Sequence, residues 1–314
     1  MKKTLFILFV FSHLIFYSQK KYSKEVGIKT DNDLYISTYK DKYYTNGFFF
    51  YFRKLLPTKK KLISKKIIEW QLGHLMYTPY RALVNNVLLH DRPFAAYLYG
   101  SYGVKNIFKN RIFNYSIKVG VIGKAALGEN LQNLIHDIYG YGKVIGWKYQ
   151  IKNAIGVNIH ASYIKNLITN TSNHYDINWI NNAKIGTIFT DFSTGFYSRF
   201  GLKSLQKINN TIAFNSHLNN NSTSFFNHTE SFLYIKTLIS YNIYDATLQG
   251  SFLNTRSPVT KELIPINFYL ESGLKFTINN YNFGYSVLYN TNKSKGLRFK
   301  NDNIYGSLTF NYSF

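Results

Sequence analysis

Runs of about 10 to 14 residues in which polar and apolar side chains alternate recur along the whole chain, and each run is dense in aromatic residues. FFFYFRKLL (48–56), FNYSIKVGVIG (113–123), IGVNIHASYI (155–164), FLYIKTLISYNIY (232–244), INFYLESGLKFTI (266–278), YNFGYSVLYN (281–290) and NIYGSLTFNYSF (303–314) are examples, separated by turns of Asn, Lys, Ser and Gly. A period of two places successive side chains on opposite faces of a sheet. A soluble β-sandwich shows the same alternation, so the composition of the faces has to decide. Aromatic residues are 18% of the chain, with 28 Tyr and 26 Phe, and the last strand ends on Phe314. That is more than a water-facing sheet needs, and it fits the girdles a barrel places at two lipid interfaces. With further strands near Val26, Gln71, Tyr97, Ile177 and Ile188, the expected fold class is all-β. It is a closed antiparallel transmembrane β-barrel of about twelve strands, an even number as closure favours.

Export is consistent with this. MKKTLFILFVFSHLIFYSQ opens with two lysines, continues through an apolar core and reaches the small residue Ser18 before polar KKYSK. The pattern predicts a cleaved signal peptide over residues 1–19 and one barrel domain over 20–314. No later stretch is apolar for long enough to form a membrane helix. The absence of cysteine excludes disulfides, thiol nucleophiles and an acylated N-terminal cysteine. The formal charge of +23 calls for a polyanionic partner. An exported chain without a DNA- or RNA-binding motif points away from nucleic acid and toward phosphorylated lipid headgroups. Outer-membrane lipids are therefore the expected partners, and a monomer is the expected state.

One segment breaks the strand pattern. GENLQNLIHDIYG (128–140) is helical in period: Leu131, Leu134, Ile135 and Ile138 share one side, while Glu129, Gln132, Asn133 and His136 form a polar stripe. Glycines bound it at both ends. The polar insertions at 209–227 and 291–303 read as outer loops or long hairpin connections.

Candidate chemistry is sparse. His136 projects from the polar stripe, and a histidine can be neutral near pH 7, as a general base must be; a lone helix histidine is also compatible with a purely structural role. Asp31, Asn32 and Asp33 offer the hard oxygen ligands that Ca²⁺ takes, although their spacing is not that of an EF-hand. The alternative is a solvated strand end. In TNG (45–47) an Asn-Gly hairpin would leave too short a preceding arm, so a continuous strand is expected. Gly47 would then mark close backbone approach or a bulge, with Thr45 facing away from Tyr44 and Asn46. No G-x-S-x-G elbow supports a serine hydrolase.

In order along the chain stand DND (31–33), DKYYTNG (41–47), GHLMYTP (73–79), DRPFAAYLYG (91–100), GVIGKAALGENLQNLIH (120–136) and GWKYQI (146–151). This succession resembles the lipid A 3'-O-deacylases, the LpxR-type outer-membrane family, with TLQG (247–250) as looser support. Lys124 stands where the family often has Pro, and Ala96-Tyr97 where it has Gly-Trp.

The resemblance implies a twelve-stranded barrel and a Ca²⁺-dependent ester hydrolase that removes the 3'-linked acyloxyacyl group of lipid A, the membrane anchor of lipopolysaccharide. The family's metal-binding Asn-Asp pair falls on Asn32 and Asp33, its barrel-wall threonine on Thr45 and its catalytic histidine on His136. Gln132, one turn before His136, is expected to help orient water or ester. Arg81, the nearest basic residue after YTP, and Arg92 are expected to contact substrate phosphates, with Lys105 and Lys109 as further candidates. The competing readings are a porin-like barrel without enzymatic activity and an outer-membrane phospholipase.

Overall fold

The structure, a computed structural model, describes residues 22–36, 42–58, 62–80, 86–140, 142–219, 229–300 and 303–314. The expected signal peptide and Arg81 lie outside the described residues.

Twelve strands form one closed antiparallel sheet. They are β1 (Lys24–Asn32), β2 (Tyr43–Leu56), β3 (Lys65–Thr78), β4 (Ala95–Ile107), β5 (Arg111–Ile122) and β6 (Ala154–Thr169), then β7 (Tyr175–Gly186), β8 (Phe189–Gly201), β9 (Ser231–Asp245), β10 (Ile266–Ile278), β11 (Tyr281–Asn290) and β12 (Asn303–Ser313). Every strand pairs with its sequence neighbours, and β1 closes on β12 with Glu25 opposite Ser313 and Asn32 opposite Gly306. Closure removes the free edges that an open sheet of this length would expose.

The alternation read from the sequence sorts the two faces. Val26, Ile28, Phe50, Trp70, Leu72 and Ile117 are exposed on the outside, where hydrocarbon is the solvent. The inside is charged: Arg53 pairs with Glu25 and Glu69, and Lys236 pairs with Glu271, which also accepts from Tyr234 and Tyr269. On the outer face near the termini, Phe310 packs against Tyr281 and Phe283 at 5.7 and 5.2 Å between centroids. Such a cluster is what an interfacial girdle looks like.

The two ends of the barrel differ. At the end away from the termini lie the connections 33–42, 79–94, 123–153, 246–265 and 291–302; at the terminal end most connections are short, the exception being 202–230. Of the two readings of 209–227, the long hairpin connection holds, joining β8 to β9, and the outer loop does not: its described part, up to 219, folds into the barrel. Leu205, Ile208, Ile212, Phe214 and Leu218 pack with Leu55, Ile67, Ile107 and Ile112 from the wall in the largest buried apolar cluster. The other polar insertion, 291–303, does lie at the outer end.

Charged groups from the wall latch this plug. Arg199 of β8, fully buried, donates to Asp176, Glu230, the Thr211 hydroxyl and the Gln206 carbonyl. Lys65 reaches Asn210 Oδ1 and the Ser216 carbonyl at 2.7 and 2.8 Å, and Lys105 reaches the Phe214 carbonyl at 2.7 Å. These bonds satisfy carbonyls that a loop buried in a barrel would otherwise leave unpaired.

Candidate active site

Two elements on the outer face of the wall carry the candidate groups. The first is the end of β1 with the start of β2. Asp31 and Asn32 point to opposite faces, as strand geometry requires. Asp31 turns inward, accepting from Tyr44 Oη at 2.8 Å and pairing with Lys29 at 3.3 Å. Asn32 turns outward and donates from Nδ2 to Asn46 Oδ1 at 2.6 Å, while its own Oδ1 accepts from Leu34 N at 2.7 Å. The strand stops there, and the buried Asp33 opens a 3₁₀ turn, Asp33–Ile36.

A β-bulge lies between Tyr44 and Asn46. It corrects the expectation that these two share a face: Tyr44 meets inward Asp31 and Asn46 meets outward Asn32. The extra residue is Thr45, which is fully buried and whose hydroxyl has no hydrogen-bond partner among the described residues. Bulges re-aim side chains in this way and concentrate near active sites. Gly47 behaves as expected, because a Cβ there would stand 2.1 Å from Tyr44 Oη.

The second element is a helix, α1 (Gly128–Tyr139), reached from β5 through a 3₁₀ turn at Lys124–Ala126. Leu127, with φ +59°, precedes it in the left-handed region that a leucine rarely enters. Gly128 is required by proximity, since a Cβ would stand 2.5 Å from both Ala96 Cβ and the Trp147 ring. Ala96 keeps the wall small beneath the helix, while Tyr97 points inward and stacks on Tyr99 at 5.0 Å.

The helix lies against the outside of the wall with its polar stripe toward the protein. Gln132, 1% exposed, accepts from Trp147 Nε1 at 2.6 Å, and Asn133 accepts from Val144 N at 3.3 Å. Leu134 and Ile138, by contrast, are 57% and 72% exposed. This inverted arrangement is sensible where the surroundings are lipid and the polar groups belong to a site. His136 places Nδ1 2.7 Å from the Gly142 carbonyl. A carbonyl only accepts, so Nδ1 is the protonated nitrogen, and in the neutral ring Nε2 carries the lone pair.

A continuous run of contacts joins the two elements. Asn32 bonds Asn46, and Asn46 Nδ2 lies 3.9 Å from Met76 Sδ. Met76 packs in one cluster with Phe94, Ala96, Ala126, Val144 and Trp147, and Trp147 bonds Gln132. His74, two residues from Met76 on the same face, holds the Ala126 carbonyl at 2.8 Å and so ties the approach to the helix onto β3. Asn32, Asn46 and Gln132 are thereby linked across one patch of the outer wall, with Thr45 beside Asn46 in sequence and His136 one turn beyond Gln132 on the helix.

The basic candidates are placed elsewhere. Arg92 is buried toward the lumen, stacked over the inward Tyr77 ring at 4.6 Å and donating to the Tyr43 and Thr247 carbonyls at 3.3 and 3.4 Å. Desolvation lowers its pKa from the usual guanidinium range, with Asp245 the chief opposing charge. Its donors face the protein, which makes it a tether between β2 and α2 (Ala246–Gln249) rather than a group presented to lipid. Lys105 serves the plug at the opposite end, and Lys109 sits in the β4–β5 turn at that end.

Sequence reasoning passed over two participants. Asn46 was visible only as an interruption in an aromatic strand, and Trp147 only as part of the GWKYQI motif; an unpaired polar group amid lipid-facing residues was the available signal for the first.

A closed antiparallel barrel with a charged interior, an apolar belt and a polar patch under an external helix defines an outer-membrane β-barrel. The family model described as Outer membrane protein LpxR matches residues 5–314, and the chain belongs to that family. It is accordingly a protein of the Gram-negative outer membrane. Among solved structures, LpxR from Salmonella typhimurium aligns with a TM-score of 0.71 at 16% identity, over 92% of this chain and 100% of that one. The β domain of the Bordetella autotransporter BrkA aligns at 0.48 with 8% identity, over 94% and 99%. The translocator domain of the autotransporter NalP from Neisseria meningitidis aligns at 0.38 with 9% identity, over 99% and 93%. No curated protein matches the chain by sequence.

Proposed function

We propose that this chain is a lipid A 3'-O-deacylase that hydrolyses the 3'-linked acyloxyacyl ester in the outer leaflet, acting as a monomer. The observation that supports the reading is the run of contacts on the outer wall that joins Asn32 and Asn46 to Gln132 on the external helix, which also carries His136. A lipid reaches that side without leaving the membrane. Polar groups held there are costly and are retained for function.

His136 is the general base. Its Nδ1–H is held by the Gly142 carbonyl, so Nε2 takes a proton from water as the water oxygen attacks the ester carbonyl. When the tetrahedral intermediate collapses, the same nitrogen returns the proton to the departing sugar oxygen. Gln132, fixed by Trp147, and Thr45 orient the water and the ester.

The donor set at the end of β1 suits Ca²⁺. It comprises the buried Asp33 carboxylate, the amide oxygens of Asn32 and Asn46, and the Thr45 hydroxyl, whose oxygen has no protein hydrogen-bond partner among the described residues. All are hard oxygens. Among the described residues no group of three His, Cys, Asp or Glu is placed to hold a metal ion, so this set consists of one carboxylate and neutral oxygens. Asn32 and Asp33 would hold the ion, which when bound supplies positive charge to a developing oxyanion. Arg81 is the remaining candidate for a lipid phosphate contact.

Mass spectrometry of lipid A from cells expressing the wild type, His136→Ala or Asp33→Ala, with and without a Ca²⁺ chelator, tests the reading. Loss of the 3'-linked acyloxyacyl group in the wild type, and its retention in both variants and under chelation, is the expected result. Identical spectra in all arms reject it, and release of fatty acid from glycerophospholipid instead identifies a phospholipase.

A further inference from the structure

Below the patch just described, the outer wall is not smooth. Strand register arranges its lipid-facing side chains in transverse rows across β2 to β5. One row is Asn46, Met76 and Ala96; two residues deeper lie Phe48, His74, Leu98 and Val121. The next row is Phe50, Leu72, Gly100 and Val119, and the one after it contains Trp70 and Tyr102. Gly100 is the gap in its row. A Cβ built there meets nothing within 4 Å, although its row neighbours Leu72 and Val119 stand out from the wall. The result is a groove of about 670 Å³. Trp70, packed on Tyr102 at 5.5 Å, sits at its deep end.

A glycine inside a strand gives up packing and backbone entropy, and it is characteristic of places that something else approaches closely. The groove belongs to the apolar belt that faces the bilayer, so its occupant is hydrocarbon. Its depth is also informative. From the Asn46 row to the Trp70 row is six residues, roughly 20 Å along a strand at about 3.3 Å per residue. At a tilt near 40° that is roughly 15 Å along the membrane normal, which is about half of a 30 Å hydrocarbon core. The groove itself is lined from the Phe50 row to the Trp70 row, so a chain that descends from the patch across the Phe48 row and fills it ends about one leaflet deep, the reach of a single acyl chain.

We propose that this groove binds an acyl chain of the lipid substrate, with Gly100 admitting the chain and Trp70 limiting its length. The proposal rests on the lipid hydrolase reading above and adds to it the residues that select chain length.

The test uses purified full-length protein in lipid A vesicles, with substrates carrying long or short 3'-linked chains and a diazirine at the chain terminus in a parallel set. Wild type, Gly100→Leu and Trp70→Ala are compared for ester release and for the position of the photolabel. Gly100→Leu is expected to slow release from the long-chain substrate by about tenfold or more, the scale of a few methylenes in an apolar site. The short-chain rate stays unchanged, and label is lost from peptides bearing Leu72 and Tyr102. Trp70→Ala is expected to extend the accepted length. Equal rates for both substrates in Gly100→Leu, with label spread evenly around the barrel, overturn the groove while leaving the hydrolase reading standing. Absence of release by the wild type rejects the hydrolase, and the photolabel alone then decides whether the groove holds a chain.

Discussion

Two fully buried polar side chains of the barrel, Arg199 and Thr45, are treated in opposite ways. In the plug, Arg199 is surrounded by Asp176, Glu230, Thr211 and Gln206, and wall lysines neutralise backbone carbonyls. On the outer wall, Thr45 is equally buried yet its hydroxyl has no hydrogen-bond partner among the described residues, and Leu127 is held in a backbone region costly for its side chain. A fully cross-linked network is the signature of structure. A buried polar group left short of partners, like a residue held in costly backbone, is the signature of a site prepared for something else. The plug also weighs against a porin, because residues between 205 and 218 pack inside the barrel against Leu55, Ile67, Ile107 and Ile112 near its terminal end.

Substitutions sharpen this contrast. His136→Ala has the largest expected effect on activity, a loss of about 10² to 10⁴ in rate, with thermal unfolding of the barrel unchanged. Arg199→Met should do the reverse: removing one partner from a buried ionic network costs about 3 to 5 kcal/mol. Unfolding in denaturant would show that loss, while the hydrolysis rate of the remaining folded protein is kept. If Arg199→Met abolishes hydrolysis in protein that is still folded, the two regions are coupled and the division fails. Gln132→Leu lies between them, since it leaves the Trp147 N–H unmatched at a cost of about 1 to 3 kcal/mol and also lowers activity. Thr45→Val is the smallest in stability and the most diagnostic. It should be neutral or slightly stabilising because no hydrogen bond is lost, yet hydrolysis should fall.

Alternation and aromatic content were enough to reach a twelve-strand barrel, because period two maps directly onto the lipid and lumen faces. The helix was legible for the same reason, its bounds differing by one residue from the expected 128–140. Its orientation was not. A polar stripe ordinarily faces water, and only the packing on Trp147 shows that this one faces inward. A bulge was one of two readings at Gly47, but its position at Thr45 was not legible, since an inserted residue leaves no mark on composition while reversing the face of everything beyond it. Arg92 and Lys105 misled because charge alone does not report which side of a wall a residue occupies. The plug read as a loop because its apolar residues are interspersed among asparagines and serines that bond within the lumen.

Photo-crosslinking on the two sides of that bulge tests the outward-facing site most directly. A photoreactive amino acid is placed at Tyr44 or at Asn46 in otherwise intact protein embedded in lipid A vesicles. Lipid A adducts at position 46 and none at position 44 are expected. Adducts at 44 with none at 46 would put the substrate in the lumen and contradict a site on the outer wall.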